Sequence, residues 1–320
     1  MSTPFKLLQV CNVGEICGGT AACAWTICRA LQGAEHEVFF FSRIRPETRT
    51  AFESVRGSTR SVSRVTDEMI RDSQADLVLF HNTSPDRAER PGFVPSISYV
   101  HSVGKRMDAD VTIACSRWLA SKLPRDGCPV LYQPVPIPPA QKEVRRGLLG
   151  DSLTIGRICT PQPRKWPESL IPFYRRLAER FPAVSWEFVG APSNLQAKLA
   201  EACRGQARFW PADWAARGHL HRWHALLYHH PDLTESFGRT VAEAMRCGTI
   251  PIVDDQGGFI EQIDSAKTGF LCPNADAFES ALETIQDPAI RWAIGHAAKR
   301  SAEERCSLRH FADRLRNVLT

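Results

Sequence analysis

The chain has 320 residues, 43% of them apolar, and a formal net charge of +5. That length suits one large or two medium domains with a substantial core, and no Lys/Arg block is dense enough for a nucleic-acid tail. The mild basic bias fits an anionic small molecule or loose contact with an acidic membrane, and no apolar run approaches the roughly 20 residues of a membrane helix.

The N-terminus, MSTPFKLLQVCNVGE, has no basic segment followed by an apolar one and a cleavage site, and reads as a first strand. FKLLQVC is that strand, AACAWTICRALQG a helix closed by Gly33, and HEVFFFS the next strand. The Arg-rich stretch from Arg43 to Arg71 reads as loop plus helix. DLVLFHN, SISYVH, VTIACS and PVLYQPV follow, short and apolar with polar ends. Strands buried on both faces look like this, and they belong to parallel sheets covered by helices. A proline-rich, then charged stretch over residues 134–151 reads as a linker.

The alternation then restarts. LTIGRIC reads as a strand and WPESLIPFYRRLAERF as an amphipathic helix. VSWEFVG, HALLYHH, TIPIVD and TGFLCP are further strands with helices between them, and residues 289–319 read as two helices. Two doubly wound α/β domains facing each other across a cleft are expected, with ligands beyond the carboxyl ends of the strands.

The eleven cysteines are scattered singly, with no Cys-x-x-Cys pair and no Cys/His set at zinc spacing. They read as small buried hydrophobes of a reducing cytoplasm, with a redox role for Cys17 and Cys23 as the alternative. Asp254 and Asp255 are adjacent on an extended strand and point to opposite faces, so they read as a strand end and not a metal site.

Gly14, Gly18 and Gly19 lie between the first strand and the first helix. Glycines there let a ligand approach backbone N–H groups at a helix start, or simply make a tight turn. The spacing does not fit G-x-G-x-x-G and no acid closes the second strand, which disfavours a dinucleotide dehydrogenase.

The second half carries a more specific set. IGRICTPQPRKW, WEFVG, HHPDLTESFGRTVAEAMRCGTIPIVDDQGGFIEQI and KTGFLCP follow in an order that resembles family 4 of the retaining glycosyltransferases. The resemblance is strong over residues 153–273 and fainter before them, where Gly18, Gly19, SYVH and IACS carry it. It implies the GT-B fold: a Rossmann-like acceptor domain over 1–145, a Rossmann-like nucleotide-sugar domain over 146–303, and a helix over 304–320 crossing back to the first. It also implies transfer of a sugar from a nucleotide-diphosphate sugar, UDP type favoured, to an acceptor hydroxyl, with retention, by front-face attack, and with neither metal nor other cofactor. The acceptor is a small molecule, a glycan or a lipid-linked sugar, and the location is cytoplasmic, with peripheral contact at the inner face of the membrane left open. Oligomeric state stays open.

By the same resemblance the catalytic set is His101, Glu235, Arg157 and Lys165. Donor contacts fall to Gly18, Gly19, Arg157, Lys165, Gly190, Glu235, Ser236, Phe237, Gly238, Arg239, Thr240 and Glu243. Arg157 and Lys165 would hold the diphosphate, whose charge grows as the glycosidic bond breaks. Glu235, ahead of the helix, would meet sugar hydroxyls, and Glu243, about two turns further in, the ribose. Two departures stand out. Trp166 follows Lys165 where the family has glycine, so Arg164 is the alternative phosphate ligand. The stretch after His101 is short for the family, which points to a reduced acceptor side. His101 reads as a ligand to a sugar hydroxyl or to the transferring oxygen, with a structural histidine as the alternative. The rival functions are a sugar-nucleotide-binding protein with little transferase activity, and an epimerase on the same fold.

Overall fold

The computed structural model describes residues 4–104, 106–124, 127–140 and 152–319. The chain divides into two compact units, Met1–Val135 with Cys306–Thr320, and Pro136–Arg305. The proline-rich linker lies outside the described residues from 141 to 151, and the expected domain boundary at 145/146 lies there too; residues 134–140 form neither helix nor strand.

The first unit contains β1 (Lys6–Cys11), α1 (Gly19–Ala30), β2 (Glu35–Phe40), α2 (Pro46–Glu53), β3 (Gly57–Ser61), α3 (Asp67–Ser73), β4 (Leu77–His81), β5 (Ser96–Val100), β6 (Val111–Ala114) and α4 (Arg117–Ala120). Its strands are parallel, in the order β3-β2-β1-β4-β5-β6. β4 and β5 are buried along their whole length; β4 is apolar up to its last residue, and β5 buries Ser96 and Ser98 between its apolar residues.

The second unit contains β7 (Thr154–Ile158), α5 (Leu170–Arg180), β8 (Ser185–Val189), α6 (Ser193–Ala202), β9 (Ala207–Trp210), β10 (Ala225–Tyr228), α7 (Arg239–Arg246), β11 (Ile250–Asp254), β12 (Phe270–Cys272), α8 (Ala275–Thr284) and α9 (Pro288–Cys306). Its sheet is also parallel, ordered β12-β11-β10-β7-β8-β9. Counted from its own first strand, each sheet therefore runs 3-2-1-4-5-6, the dinucleotide-fold order, with the strand order reversing between strands 1 and 4. α5 shows how the sequence supports this. Leu170, Phe173, Tyr174, Leu177 and Ala178 recur at helical spacing and bury one stripe.

A last helix, α10 (Leu308–Leu319), belongs to the first unit, where it packs on α1 and sets Phe311 6.5 Å from the Tyr99 ring. At the root of this return, the Val135 N–H donates to the Cys306 carbonyl at 2.7 Å. Among the described residues no helix is long and apolar enough to cross a membrane.

Three elements depart from the sequence expectation. β3 and β9 were not expected as strands, and both are sheet edges of mixed burial that carry no apolar run. PVLYQPV makes only an isolated bridge, Ala114 to Val130. Its prolines cannot donate to a ladder, so its apolar residues pack without extending the sheet.

Gly156 on β7 sits against the Trp223 ring, where an added Cβ would stand 2.1 Å from ring carbons. Trp223 is itself fully buried, so neither group has room to move. Gly156→Ala is expected to destabilise the second unit by about 1–3 kcal/mol through overpacking. Gly19→Ala, with nothing within 4 Å, serves as the neutral control. Urea denaturation of both variants checks this; an unchanged midpoint for Gly156→Ala would contradict the packing.

Candidate functional site

The strand order of the second unit places two loops side by side, one after β7 and one after β10. This reversal point is where open α/β sheets bind ligands. The loop after β7 ends in a single tight turn, Pro163–Lys165. The loop after β10 runs from His229 to Gly238 and feeds α7.

Arg157 joins the two loops. It is 0% exposed, and its fork donates from Nη1 to the His229 carbonyl at 2.8 Å and from Nη2 to the Lys165 carbonyl at 2.9 Å. The Trp166 and Tyr228 rings flank it, their centroids 5.0 and 4.7 Å from the guanidinium carbon. This revises the expected direct diphosphate contact. In this structure Arg157 is enclosed by protein and holds the backbone of the residues around the site, and Trp166, the departure from the family pattern, forms one wall of its enclosure.

Lys165 and not Arg164 is directed inward. The Lys165 ammonium contacts Glu235 Oε1, and the Tyr228 hydroxyl donates to the same oxygen at 2.7 Å. Arg164 is exposed, with Nε on Gln162 Oε1 at 3.1 Å. Burial pushes the Glu235 carboxyl up, but Lys165 and the Tyr228 hydroxyl outweigh it and hold the group below the usual carboxylate range. Glu235 is therefore an anion at neutral pH. Burial pushes the Tyr228 phenol well up, with Cys159 and the Glu235 carboxylate adding to the effect, so Tyr228 stays a donor.

Neighbouring loops fix Glu235. The Gly258 N–H donates to the Glu235 carbonyl at 2.9 Å. A Cβ on Gly258 would meet the Ser236 carbonyl oxygen at 2.3 Å, so only glycine allows this approach. Gln262 donates to the Phe237 carbonyl. Gln256 accepts from Thr234 Oγ1 at 3.1 Å. Gly238 has φ +81°, and its missing side chain leaves the first turn of α7 without a side-chain cap. That uncapped turn, with Arg239 and Thr240 opening it, suits an anion. Gly190 is buried and also has positive φ, its Cα packed over the Cys159 carbonyl, so it shapes the end of β8.

The two histidines before the loop brace it. His230 donates from Nε2 to the Arg164 carbonyl at 2.8 Å, and its Nδ1 accepts from the N–H groups of Asp232 and Leu233. Asp254 holds His229 Nδ1 and the His230 N–H, each at 2.6 Å, which accounts for that aspartate as a strand-end anchor.

Glu243 forms a separate cluster. α7 begins at Arg239, so Glu243 lies one turn into the helix and not two. It is 3% exposed. Arg217 Nε donates to both of its oxygens at 3.0 and 3.1 Å, and Arg239 Nε donates to Oε1 at 3.0 Å. Arg217 also lies 4.1 Å over the Trp214 ring. The structure thus fills with arginines most of the acceptor sites that the ribose was expected to use.

In the first unit Gly18 caps α1 without a side-chain bond, and Gly19 has open space around it. His101 follows β5, with Nε2 2.9 Å from His81 Nδ1 and Nδ1 2.9 Å from Gln133 Nε2. Among the described residues, Cys23, His81 and His101 form the one group of three donors, within 4.8 Å of one another, that could hold a metal. Three separate elements bring these residues together, so no sequence spacing announces them.

Tyr228, Arg217 and Gln262 were not anticipated. Only Tyr228 left a signal, as a polar residue ending an otherwise apolar strand.

Comparison with known proteins supports the same region. Residues 152–300 match the family model described as Glycosyl transferases group 1. A D-inositol 3-phosphate glycosyltransferase of Kribbella flavida is 31% identical over 184 residues, covering 52% of this chain and 43% of that relative. The chain thus spans less than half the length of this curated relative. A crystal structure of a glycosyltransferase from Rickettsia africae superposes with a TM-score of 0.76 at 14% identity, over 99% of this chain and 98% of that one. Anabaena Alr3699/HepE in complex with UDP and glucose gives 0.76 at 17% identity, over 98% and 99%. The fold is therefore that of these GT-B glycosyltransferase structures, two Rossmann-like units in one chain.

Replacing Arg157 by Met should strand two buried carbonyls, each worth roughly 1–3 kcal/mol when left unpaired. Arg164→Ala should change stability by less than about 0.5 kcal/mol. Chemical denaturation of both variants checks the contrast; equal effects would mean that Arg157 does not carry the loops.

Proposed function

Residues 152–300 match the model of the Glycosyl transferases group 1 family, and from that premise we propose that the protein transfers a sugar from a nucleotide-diphosphate sugar to an acceptor hydroxyl. The observation that carries this reading is the meeting of Lys165, Glu235 and Tyr228 beside the uncapped start of α7. A cation and a helix start are what a diphosphate needs, and a fixed carboxylate is what sugar hydroxyls need.

The donor is of UDP type, a choice supported by the UDP held in Anabaena Alr3699/HepE. Its diphosphate takes Lys165 from Glu235 and sits at the first turn of α7. Glu235, released from that contact, accepts from the sugar hydroxyls. Glu243 accepts from the ribose as Arg217 gives way. Arg157 is a positioning residue for Lys165. His101, in the first unit, bonds a sugar hydroxyl.

Transfer keeps the anomeric configuration. The acceptor oxygen bonds to the anomeric carbon on the face from which the phosphate oxygen leaves, and that phosphate oxygen takes the acceptor's proton. The products are the glycoside and the nucleoside diphosphate. Lys165 and the helix start supply the positive charge that a divalent ion would otherwise bring.

Two measurements test this. UDP should raise the melting temperature, because ligand that binds only the native state stabilises it. Lys165→Ala should then cut turnover by about a hundredfold, the order seen when one group stabilising developing negative charge is removed. A change confined to KM would deny Lys165 a share in the transition state. Proton NMR of the first product formed decides the stereochemistry. An anomeric configuration opposite to the donor's would refute retention, and activity lost to a chelator and restored by a divalent ion would refute the metal-free route.

A further inference from the structure

The carboxyl end of the first sheet holds a chain of hydrogen bonds whose direction is fixed by chemistry. It begins at Gln9 on β1, which is fully buried. Gln9 Nε2 donates to the Ala24 carbonyl at 3.2 Å and contacts the Cys28 sulfur at 3.2 Å. Those two acceptors orient the amide, so Oε1 is the atom facing His81 Nε2 at 2.9 Å. An amide oxygen only accepts, so His81 carries its hydrogen on Nε2. Burial holds the His81 pKa down at about 3, so the ring is neutral and its Nδ1 is a bare lone pair. His101 Nε2, 2.9 Å away, must therefore donate. At the far side Gln133 Nε2 lies 2.9 Å from His101 Nδ1, and an amide nitrogen only donates. Every bond runs one way, from Gln133 to His101, to His81, to Gln9, to the Ala24 carbonyl.

Of the two histidines only His101 reaches the surface, at 9% exposure against 0% for His81. A ring that donates through one nitrogen to a fixed acceptor is a better acceptor at the other. The acceptor nitrogen here is Nδ1, and its partner is the side-chain amide of Gln133, whose place a ligand hydroxyl would have to take.

We propose that Gln9 and His81 are positioning residues that lock His101 as its Nε2–H tautomer and present Nδ1 as the hydrogen-bond acceptor for a sugar hydroxyl. This rests on the proposed transfer only for the identity of the hydroxyl; the tautomer stands on the hydrogen-bond geometry and the complete burial of His81. The groups around the pair are Tyr99, whose ring centroid is 4.4 Å from that of His101 and whose hydroxyl donates to the Leu131 carbonyl, and the thiol of Cys23. Beyond them lie Cys11 and Cys28, both kept as thiols by burial.

A metal shared by Cys23, His81 and His101 fits less well. Two nitrogens at the ordinary zinc distance and tetrahedral angle stand about 3.3 Å apart. Here they are 2.9 Å apart, the separation of a shared proton.

The test is nitrogen-15 NMR of the full chain with labelled histidine. The expected spectrum shows His81 and His101 both protonated at Nε2 and bare at Nδ1, with His81 not titrating between pH 8 and 5. His81→Leu removes the acceptor and should shift His101 toward its other tautomer. In the same variant kcat/KM for the donor should fall roughly tenfold, the worth of one hydrogen bond. His81→Gln offers an oxygen to His101 and a nitrogen to Gln9, and should restore the tautomer and part of the rate. A wild-type spectrum with His101 protonated at Nδ1 overturns the proposal without any variant. So does a stoichiometric zinc titration that shifts both facing nitrogens together. If His81→Leu leaves the tautomer and the rate unchanged while folded, the positioning role is also lost. Should no nucleotide sugar be turned over, the transfer reading fails, and the tautomer spectrum still decides the positioning.

Discussion

The second unit depends on one buried guanidinium. An arginine taken fully out of water is costly unless its charge is spread and its N–H groups are met. Arg157 meets most of this with two backbone carbonyls on Nη1 and Nη2 and two aromatic faces, while its buried Nε makes no hydrogen bond among the described residues. Those carbonyls belong to the two loops that the strand order brings together, so satisfying the charge also fixes the loops. Lys165 and His229 are thereby set by their backbones, before any side chain acts. Trp166 fits the same logic. A glycine at that point would leave one face of the guanidinium open, and the tryptophan closes it.

On this frame the candidate donor site is balanced electrically. Glu235 keeps its charge because Lys165 and Tyr228 offset its burial. Glu243 keeps close company with Arg217 and Arg239. Both carboxylates are thus held by cations of the same unit, and under the proposed function a donor must exchange partners with them. An anionic diphosphate can take Lys165 because it offers more negative charge than one carboxylate, and the exchange leaves Glu235 available to hydroxyls. This would couple binding of one end of the donor to recognition of the other.

The two units share a strand order and differ in what occupies its reversal point. In the second unit the point is charged, with Arg157 on the Lys165 carbonyl and the Lys165 ammonium on Glu235. In the first it is neutral, with Gln9, His81 and His101 joined by hydrogen bonds of a single sense. A buried neutral network avoids the desolvation cost of ions and fixes orientation instead. The first unit is suited to orienting a group and the second to meeting charge.

Much of this was legible in the residues. Unbroken apolar runs bounded by polar ends are a property of the local sequence, so the central strands and both doubly wound sheets could be read directly. The edges β3 and β9 could not, because an edge strand needs no apolar run, and PVLYQPV misled because apolar content does not reveal missing donors. The stretch HHPDLTESFGRTVAEAMRCGTIPIVDDQGGFIEQI, with Glu235 and Glu243 in it, marked the region. Sequence could not assign the roles within it, since those depend on contacts between residues far apart in the chain. Arg157 differs from an exposed phosphate ligand only through the position of Trp166 and Tyr228 around it, and Lys165 differs from Arg164 only through which way a three-residue turn faces. The chain of Gln9, His81, His101 and Gln133 spans two strands, the residue that follows a third, and a loop, and no local pattern predicts it. Local chemistry thus determined which residues were available, and the sheet order, by choosing their neighbours, decided what each one does.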